Sequence, residues 1–352
     1  MLIGIEQGVM TSVKAFRVEQ PPTDGSLGRG AFVFTDDYSV FDWGRMPDTI
    51  PDKGASLCTM GAFNFELLED RGVDTHYRGV RSDGAVVGVD EALAAGSPPT
   101  EMAIDLTRTP ELPFADGDYA YDDYFGATGE HYLIPLEVVF RNRVPVGSSL
   151  RRRTTPDAVG LAFTEWPAEA VDLPEPVVEF STKFEEQDRY LDRAEATRLA
   201  GSASLETLEA VAREVNRLVT ERASQAGLVH QDGKIECLYH DGEIRVADVV
   251  GTFDENRFSS DSQQVSKEVL RQYHRRTQSG WVESVSAAKK RAARDGVADW
   301  RGLCECGPES LDNGVVETVR DLYCAGTNAY IGQRVFDAPS LDDAVAATRA
   351  LI

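Results

Sequence analysis

Lysine is scarce in this chain. It has 7 lysines and 29 arginines, 36 basic residues in all, against 59 acidic ones, for a formal net charge of −23 over 352 residues. That balance argues against nucleic acid or an anionic membrane surface as partner, because both repel an acidic surface. Many carboxylates with few lysines is a composition associated with salt-accumulating cells. Salt at 1 M shortens the Debye length to about 3 Å, so distant steering of an anionic ligand fails and close Arg and Lys contacts must hold it. Long apolar runs are missing too, and the N-terminal MLIGIEQGVM has neither a basic n-region nor a long apolar h-region. The expected location is the cytoplasm. Paired CxxC motifs are absent: Cys58, Cys237, Cys304, Cys306 and Cys324 read as idle reduced thiols, since Cys304-Glu305-Cys306 makes only half a metal site. No repeat or low-complexity tract interrupts the chain.

What is there, with 42% hydrophobic residues, is a globular pattern too long for one small core. Alternation predicts strands over 12–18 and 31–35, separated by the turn-rich PPTDGSLGRG, whose glycines fit neither GxGxxG nor a Walker A motif. A helix capped by Ser56 is expected to stop at Gly72. From Arg81 to Glu130 the pattern weakens, with a strand near Met102–Thr107 and then DGDYAYDDYFG, read as a loop pinned by its tyrosines. Residues 131–144 form a strong strand leading into a basic loop. There Arg141, Arg143, Arg151, Arg152 and Arg153 flank Val146-Gly147-Ser148-Ser149, which is either a phosphate cradle or an internal salt-bridge cluster. Helices are predicted over about 186–199 and over 205–225, the latter capped by Ser204. The remainder, 263–352, is mostly helical by periodicity, with breaks near Gly280, Gly296, Gly307-Pro308 and Asn328.

The stretch Gly227–Phe258 organises the reading. It is patterned as a β-hairpin joined at His240-Asp241-Gly242, with Asp232, Lys234 and Glu236 on one face of its first arm. A two-residue turn would put Asp248 on the opposite face from Glu236. A three-residue loop with a G1 bulge would bring the two together, and is the register expected for a Mg²⁺-nucleotide patch. A solvated strand with its charges outward is the competing reading.

Seven segments, in order, resemble the SAICAR synthetase family of purine-pathway ligases. Ser12-Val13-Lys14 is similar to the family's G-x-V-K-D, Thr35–Asp42 to T-D-R-I-S-A-F-D, and Ile50–Ala55 to I-P-G-K-G-A. Pro135–Asn142 resembles P-L-E-V-V-V-R-N, and Ser181-Thr182-Lys183 matches S-T-K. Asp232–Glu236 resembles D-T-K-F-E, and Thr252–Phe258 resembles T-P-D-S-S-R-F. The resemblance implies an α+β, two-lobe fold related to kinases and ATP-grasp proteins, with antiparallel sheets and a helical C-terminal extension. The lobes expected are a β-rich nucleotide lobe over 1–134, with an insertion at about 81–130, an α+β substrate and metal lobe over 135–262, and a helical extension over 263–352 packed on the second lobe.

The activity so implied is ATP- and Mg²⁺-dependent. The γ-phosphate passes to the carboxylate of carboxyaminoimidazole ribotide, and the L-aspartate amine then displaces phosphate. By the same resemblance Glu236 and Asp248 hold Mg²⁺, Lys14 joins them at the nucleotide, and Lys234 and Arg257 are the catalytic cations. Arg141, Ser148 and Arg257 grip the ribotide, while Asp37, Ser39 and Asp254 order its loops. No general base is assigned, and a homo-oligomer is left open. Thr11, Ala15, Val249 and Phe253 depart from the family pattern. These departures motivate two alternatives: a related ligase acting on another carboxylate, and a non-catalytic nucleotide-binding regulator.

Overall fold

A computed structural model describes residues 9–10, 13–115, 118–129, 131–185, 188–297 and 299–351. Thr11 and Ser12 of the first expected motif lie outside these residues. Two antiparallel six-stranded sheets carry the fold. The first contains β1 (Val9–Met10), β2 (Lys14–Gln20), β3 (Gly28–Phe34), β4 (Tyr77–Ser82), β5 (Ala85–Val87) and β6 (Glu101–Leu106), in the order β1-β2-β3-β6-β4-β5. After a short ribbon, β7 (Phe114–Ala115) and β8 (Asp118–Tyr119), the second sheet is built from β9 (His131–Val144), β10 (Val171–Thr182), β11 (Val229–His240), β12 (Glu243–Ala247), β13 (Arg257–Ser260) and β14 (Gln263–Gln264). Its order is β10-β9-β11-β13-β14, with β12 paired on β11.

Several expectations are corrected. Residues 81–130 are not a separate insertion, because they place β6 between β3 and β4 in the first sheet. Within that stretch the tyrosine-rich segment passes from β8 into a helix, α3 (Tyr121–Thr128), held by buried Tyr121 and Tyr124. Gly28 and Gly30 belong to β3 rather than to a loop, since a Cβ at either would lie 2.3 or 2.5 Å from the carbonyl oxygen of Gln20 or Arg17. Helix α1 (Lys53–Glu69) starts before Ser56, from Asp52 in a left-handed conformation, and Ser56 is buried with its hydroxyl on Thr327. α2 (Val89–Ala94) and the one-turn α4 (Leu150–Arg153) are short. α5 spans only Arg193–Ala200, because Asp192 caps it by accepting from the Glu195 amide at 2.8 Å.

α6 (Leu205–Gln225) runs as predicted, and the Ser204 hydroxyl accepts from the Thr207 amide. Its apolar stripe of Leu208, Ala212, Val215 and Val219 covers one face of the second sheet, onto which Leu136, Val138, Phe140 and Ile235 point. Alternation then sends Glu137, Arg141, Asp232, Lys234 and Glu236 to the other face, toward the cleft. The tail forms α7 (Glu268–Thr277), α8 (Ser279–Asp295), α9 (Asn313–Ile331) and α10 (Leu341–Leu351). Asn328 lies inside α9 and does not break it; its side chain instead holds the backbone of Val335 and Phe336. α9 packs on α1 as well as on α6, so the tail touches the first lobe too. No helix among the described residues is long and apolar enough to cross a membrane.

Candidate active site

The β11–β12 turn takes the tight register. Asp241 and Gly242 both have positive φ, 50° and 89°, and His240 pairs with Glu243. Two left-handed residues in succession match the twist of the flanking strands, and Asp-Gly supplies them. The expected G1 bulge is therefore wrong. Had β12 continued, Asp248 would point away from Glu236. The ladder instead ends at Glu236 opposite Ala247, and Asp248 takes φ 61°. That left-handed residue breaks the alternation and turns the carboxylate back into the cleft.

A cleft of roughly 550 Å³ lies there, within the size range of small-molecule sites. Its cations are Lys14, Lys183, Lys267, Arg271 and Arg301; its acids are Asp42, Asp248 and Glu255. Five positive against three negative groups leave a local excess of two, in a chain whose net charge is −23. Lys14, at the start of β2, forms an ion pair with Asp248 and packs over the Phe32 ring. Lys183, one residue past β10, pairs with Glu236. Lys234 pairs with Glu137 and lies 3.8 Å from Glu255.

Environment separates the two predicted metal acids. Burial raises Glu236 above the usual carboxylate range, with Lys183 opposing and the Asp248 charge adding to the rise. Burial acts on Asp248 in the same sense, but the Lys14 and Lys183 ammonium groups outweigh it and bring it to about 2. Lys183 is raised because Glu236 and Asp248 overcome its burial, whereas burial lowers Lys267 despite Asp254 and Glu255. A hard cation would find only oxygen donors at Glu236 and Asp248, at positions where ammonium groups already balance the charge, so these residues fit Mg²⁺.

The remaining expected residues divide. Ser39 lines the cleft. Asp37 is buried, receives Arg45 Nε at 2.8 Å and accepts from the Thr35 hydroxyl. Asp254 is buried between Lys53 Nζ and the Tyr323 hydroxyl, each at 2.8 Å, and ties its loop to α1 and α9. Arg141 and Arg257 meet on Asp232: Arg257 Nε donates to it at 2.7 Å and Arg141 Nη1 at 3.2 Å, while Arg141 also donates to Glu179 and to the Tyr190 hydroxyl. Arg143 and Arg153 pair with Asp172 and Glu179, so the salt-bridge reading of this loop holds for these two, whereas Arg151 donates to backbone carbonyls. Ser148 is buried and its hydroxyl accepts from the Leu150 amide, which makes it a turn residue outside the cleft lining. Two of the departures are packing positions. Val249 faces Gly61 of α1, and Phe253 stacks edge-on against Phe258 and Tyr323.

Sequence reasoning missed Lys183, Lys267, Arg271, Arg301, Glu137 and Glu255 as site residues. The lysine shortage carried the signal: six of the seven lysines line the cleft or pair with acids in it or beside it.

The α+β fold, with its two antiparallel sheets and C-terminal helices, is shared with solved structures. The SAICAR synthase of Saccharomyces cerevisiae in complex with SAICAR superposes with a TM-score of 0.60 at 20% identity, covering 95% of this chain and 97% of that one. A SAICAR synthetase in complex with ADP superposes at 0.51, with 24% identity, over 75% and 90% of the two chains. The SAICAR synthetase family model matches residues 23–288, and the chain belongs to that family. A protein of Archaeoglobus fulgidus, provisionally named a phosphoribosylaminoimidazole-succinocarboxamide synthase, is 39% identical over 97% of this chain and 100% of its own length. The synthase of that name from Thermoplasma volcanium is 29% identical over 86% and 93%.

Proposed function

We propose that this chain is an ATP-dependent carbon–nitrogen ligase of purine biosynthesis. It joins L-aspartate to the carboxylate of carboxyaminoimidazole ribotide through an acyl phosphate, in the cytoplasm, where its five free thiols stay reduced. Family membership supports the reaction class. The observation that carries the reading is the cleft itself, where a lysine-poor, acidic protein has gathered its lysines around two carboxylates of opposite tendency.

Phosphoryl transfer to a carboxylate brings anions together, so the residues must neutralise charge and fix positions. Lys14, Lys183 and Lys267 contact the phosphates, while Lys234 and Arg257 face the reacting carboxylate and the ribotide. Glu236 and Asp248 hold Mg²⁺, which when bound neutralises charge on the phosphate oxygens. Asp37, Ser39 and Asp254 set the loops. Arg141 positions Arg257 through Asp232, and Ser148 shapes the loop after β9. Adjacent binding of three substrates supplies much of the acceleration.

Phosphate release from ATP, measured with the ribotide and L-aspartate omitted in turn, tests the reading. Release that requires both substrates is expected; ATP turnover indifferent to either would overturn it.

A further inference from the structure

The far ends of the strands that carry the cleft acids hold a second cluster. His131 opens β9 and His240 closes β11, directly opposite each other in the ladder. Their Nδ1 atoms are 2.7 Å apart and their ring centroids 4.5 Å apart. Asp241, the first turn residue, brings a carboxylate oxygen to 3.7 Å from His131 Nδ1, and its other oxygen lies 3.6 Å from His240 Nε2. One ligand atom from each of the three residues fits within 4.8 Å of the others.

We infer that His131, His240 and Asp241 form a binding site for a divalent transition metal of the Zn²⁺ class, separate from the Mg²⁺-nucleotide site. Two imidazoles and one carboxylate suit Zn²⁺ and its neighbours, whereas Mg²⁺ wants oxygen ligands. A tetrahedral ion with bonds of about 2.0–2.1 Å sets its ligand atoms roughly 3.3 Å apart. The two nitrogens therefore separate by about 0.6 Å and the carboxylate approaches His131 Nδ1 by about 0.4 Å, shifts within the reach of side-chain rotation. Backbone pairing and the two-residue turn already hold the three Cα positions. Asp241 is largely exposed, which leaves one side open to water. The nearby Arg245 charge is neutralised, with Glu243 at 3.2 Å and Asp105 at 4.0 Å. His240 is four residues from Glu236 along β11, about 13 Å at the strand rise. An ion here would pin the β11–β12 turn to β9 without entering the cleft.

The test is titration of the full-length protein with Zn²⁺ by calorimetry and with Co²⁺ by its visible absorption, both in excess Mg²⁺. One equivalent of metal is expected to bind at micromolar or lower concentration and to raise the unfolding temperature. H240A, at a half-buried strand end, and H131A should weaken binding by more than the about 10–100-fold that loss of an outer-shell partner costs. D241N should weaken it less, and E236Q should leave it unchanged. If H131A misfolds, H240A and D241N decide the matter. No bound equivalent, equal binding in H240A, or loss of binding in E236Q would overturn the proposal.

Discussion

Lys14 and Asp248, 234 residues apart, form an ion pair that joins β2 of the first sheet to the residue just past the β11–β12 hairpin of the second. The pair sits where both partners have work in the proposed reaction. By that proposal a nucleotide phosphate would replace Asp248 at the ammonium and Mg²⁺ would replace Lys14 at the carboxylate, so that substrate binding would exchange one pair for two and leave neither group uncompensated.

Lys14→Met removes one of these exchanges. Loss of a charge-stabilising donor of this type costs about 10²–10³ in rate, and kcat/KM for ATP is expected to fall by that order. Steady-state kinetics with ATP varied checks it; a drop below threefold would remove Lys14 from the phosphate site.

Glu236→Gln keeps the shape and deletes a charge that Lys183 and the proposed metal share. The expected outcome is a higher Mg²⁺ requirement together with a kcat lowered by about two orders of magnitude. Retained nucleotide binding, seen in a fluorescence titration, would separate this effect from unfolding. An unchanged Mg²⁺ dependence would remove Glu236 from the metal site.

The sequence made the facing of this site legible while leaving its turn ambiguous. Period-two alternation put Asp232, Lys234 and Glu236 on one face of β11, and the sheet register agrees. The turn was misread because Asp-Gly serves either loop length, and nothing local announces that Asp248 takes a left-handed backbone. The basic loop misled for a different reason. Arginines close in sequence look like a phosphate cradle until distant partners such as Glu179 and Asp172 are known, and those arrive on β10. Long periodic helices such as α6 needed no tertiary information, whereas β6 hid in a stretch whose pattern is weak.

The Phe253 departure has a partner in α9. A Cβ added at Gly326 would lie 2.6 Å from Phe253 Cζ, inside a packed aromatic group. Gly326→Ala is therefore expected to destabilise by about 1–3 kcal/mol, the usual cost of overpacking. Combining it with Phe253→Leu should recover part of that loss. Chemical denaturation of the three variants reads the coupling, and additive losses would show that the two positions do not compete for the same space.

Acid should unfold this protein in two stages. His76 and His230 are buried, and burial lowers both from about 6.5 to about 4, with hydrogen bonds to the Asp248 carbonyl and the Asn256 side chain opposing. Between those values the unfolded chain binds more protons than the folded one, so stability falls as pH drops through this window. A shift of that size is worth about 3 kcal/mol per histidine. Glu137 and Glu236 act with the opposite sign. Burial raises both, the folded state holds the extra proton above pH 4.5, and acidification there returns some stability. Below about 4 the histidines have no more to give, and Asp248 takes over: its stabilising contribution is complete above 3.8 and is lost as pH falls toward 2. Urea unfolding from pH 7.5 to pH 3 should therefore show a steep decline beginning near pH 6.5. His76→Gln, which removes one titrating group, should flatten the part above pH 4 and leave the lower part in place. A His76→Gln profile parallel to that of the parent protein would show that His76 is not buried in its neutral form.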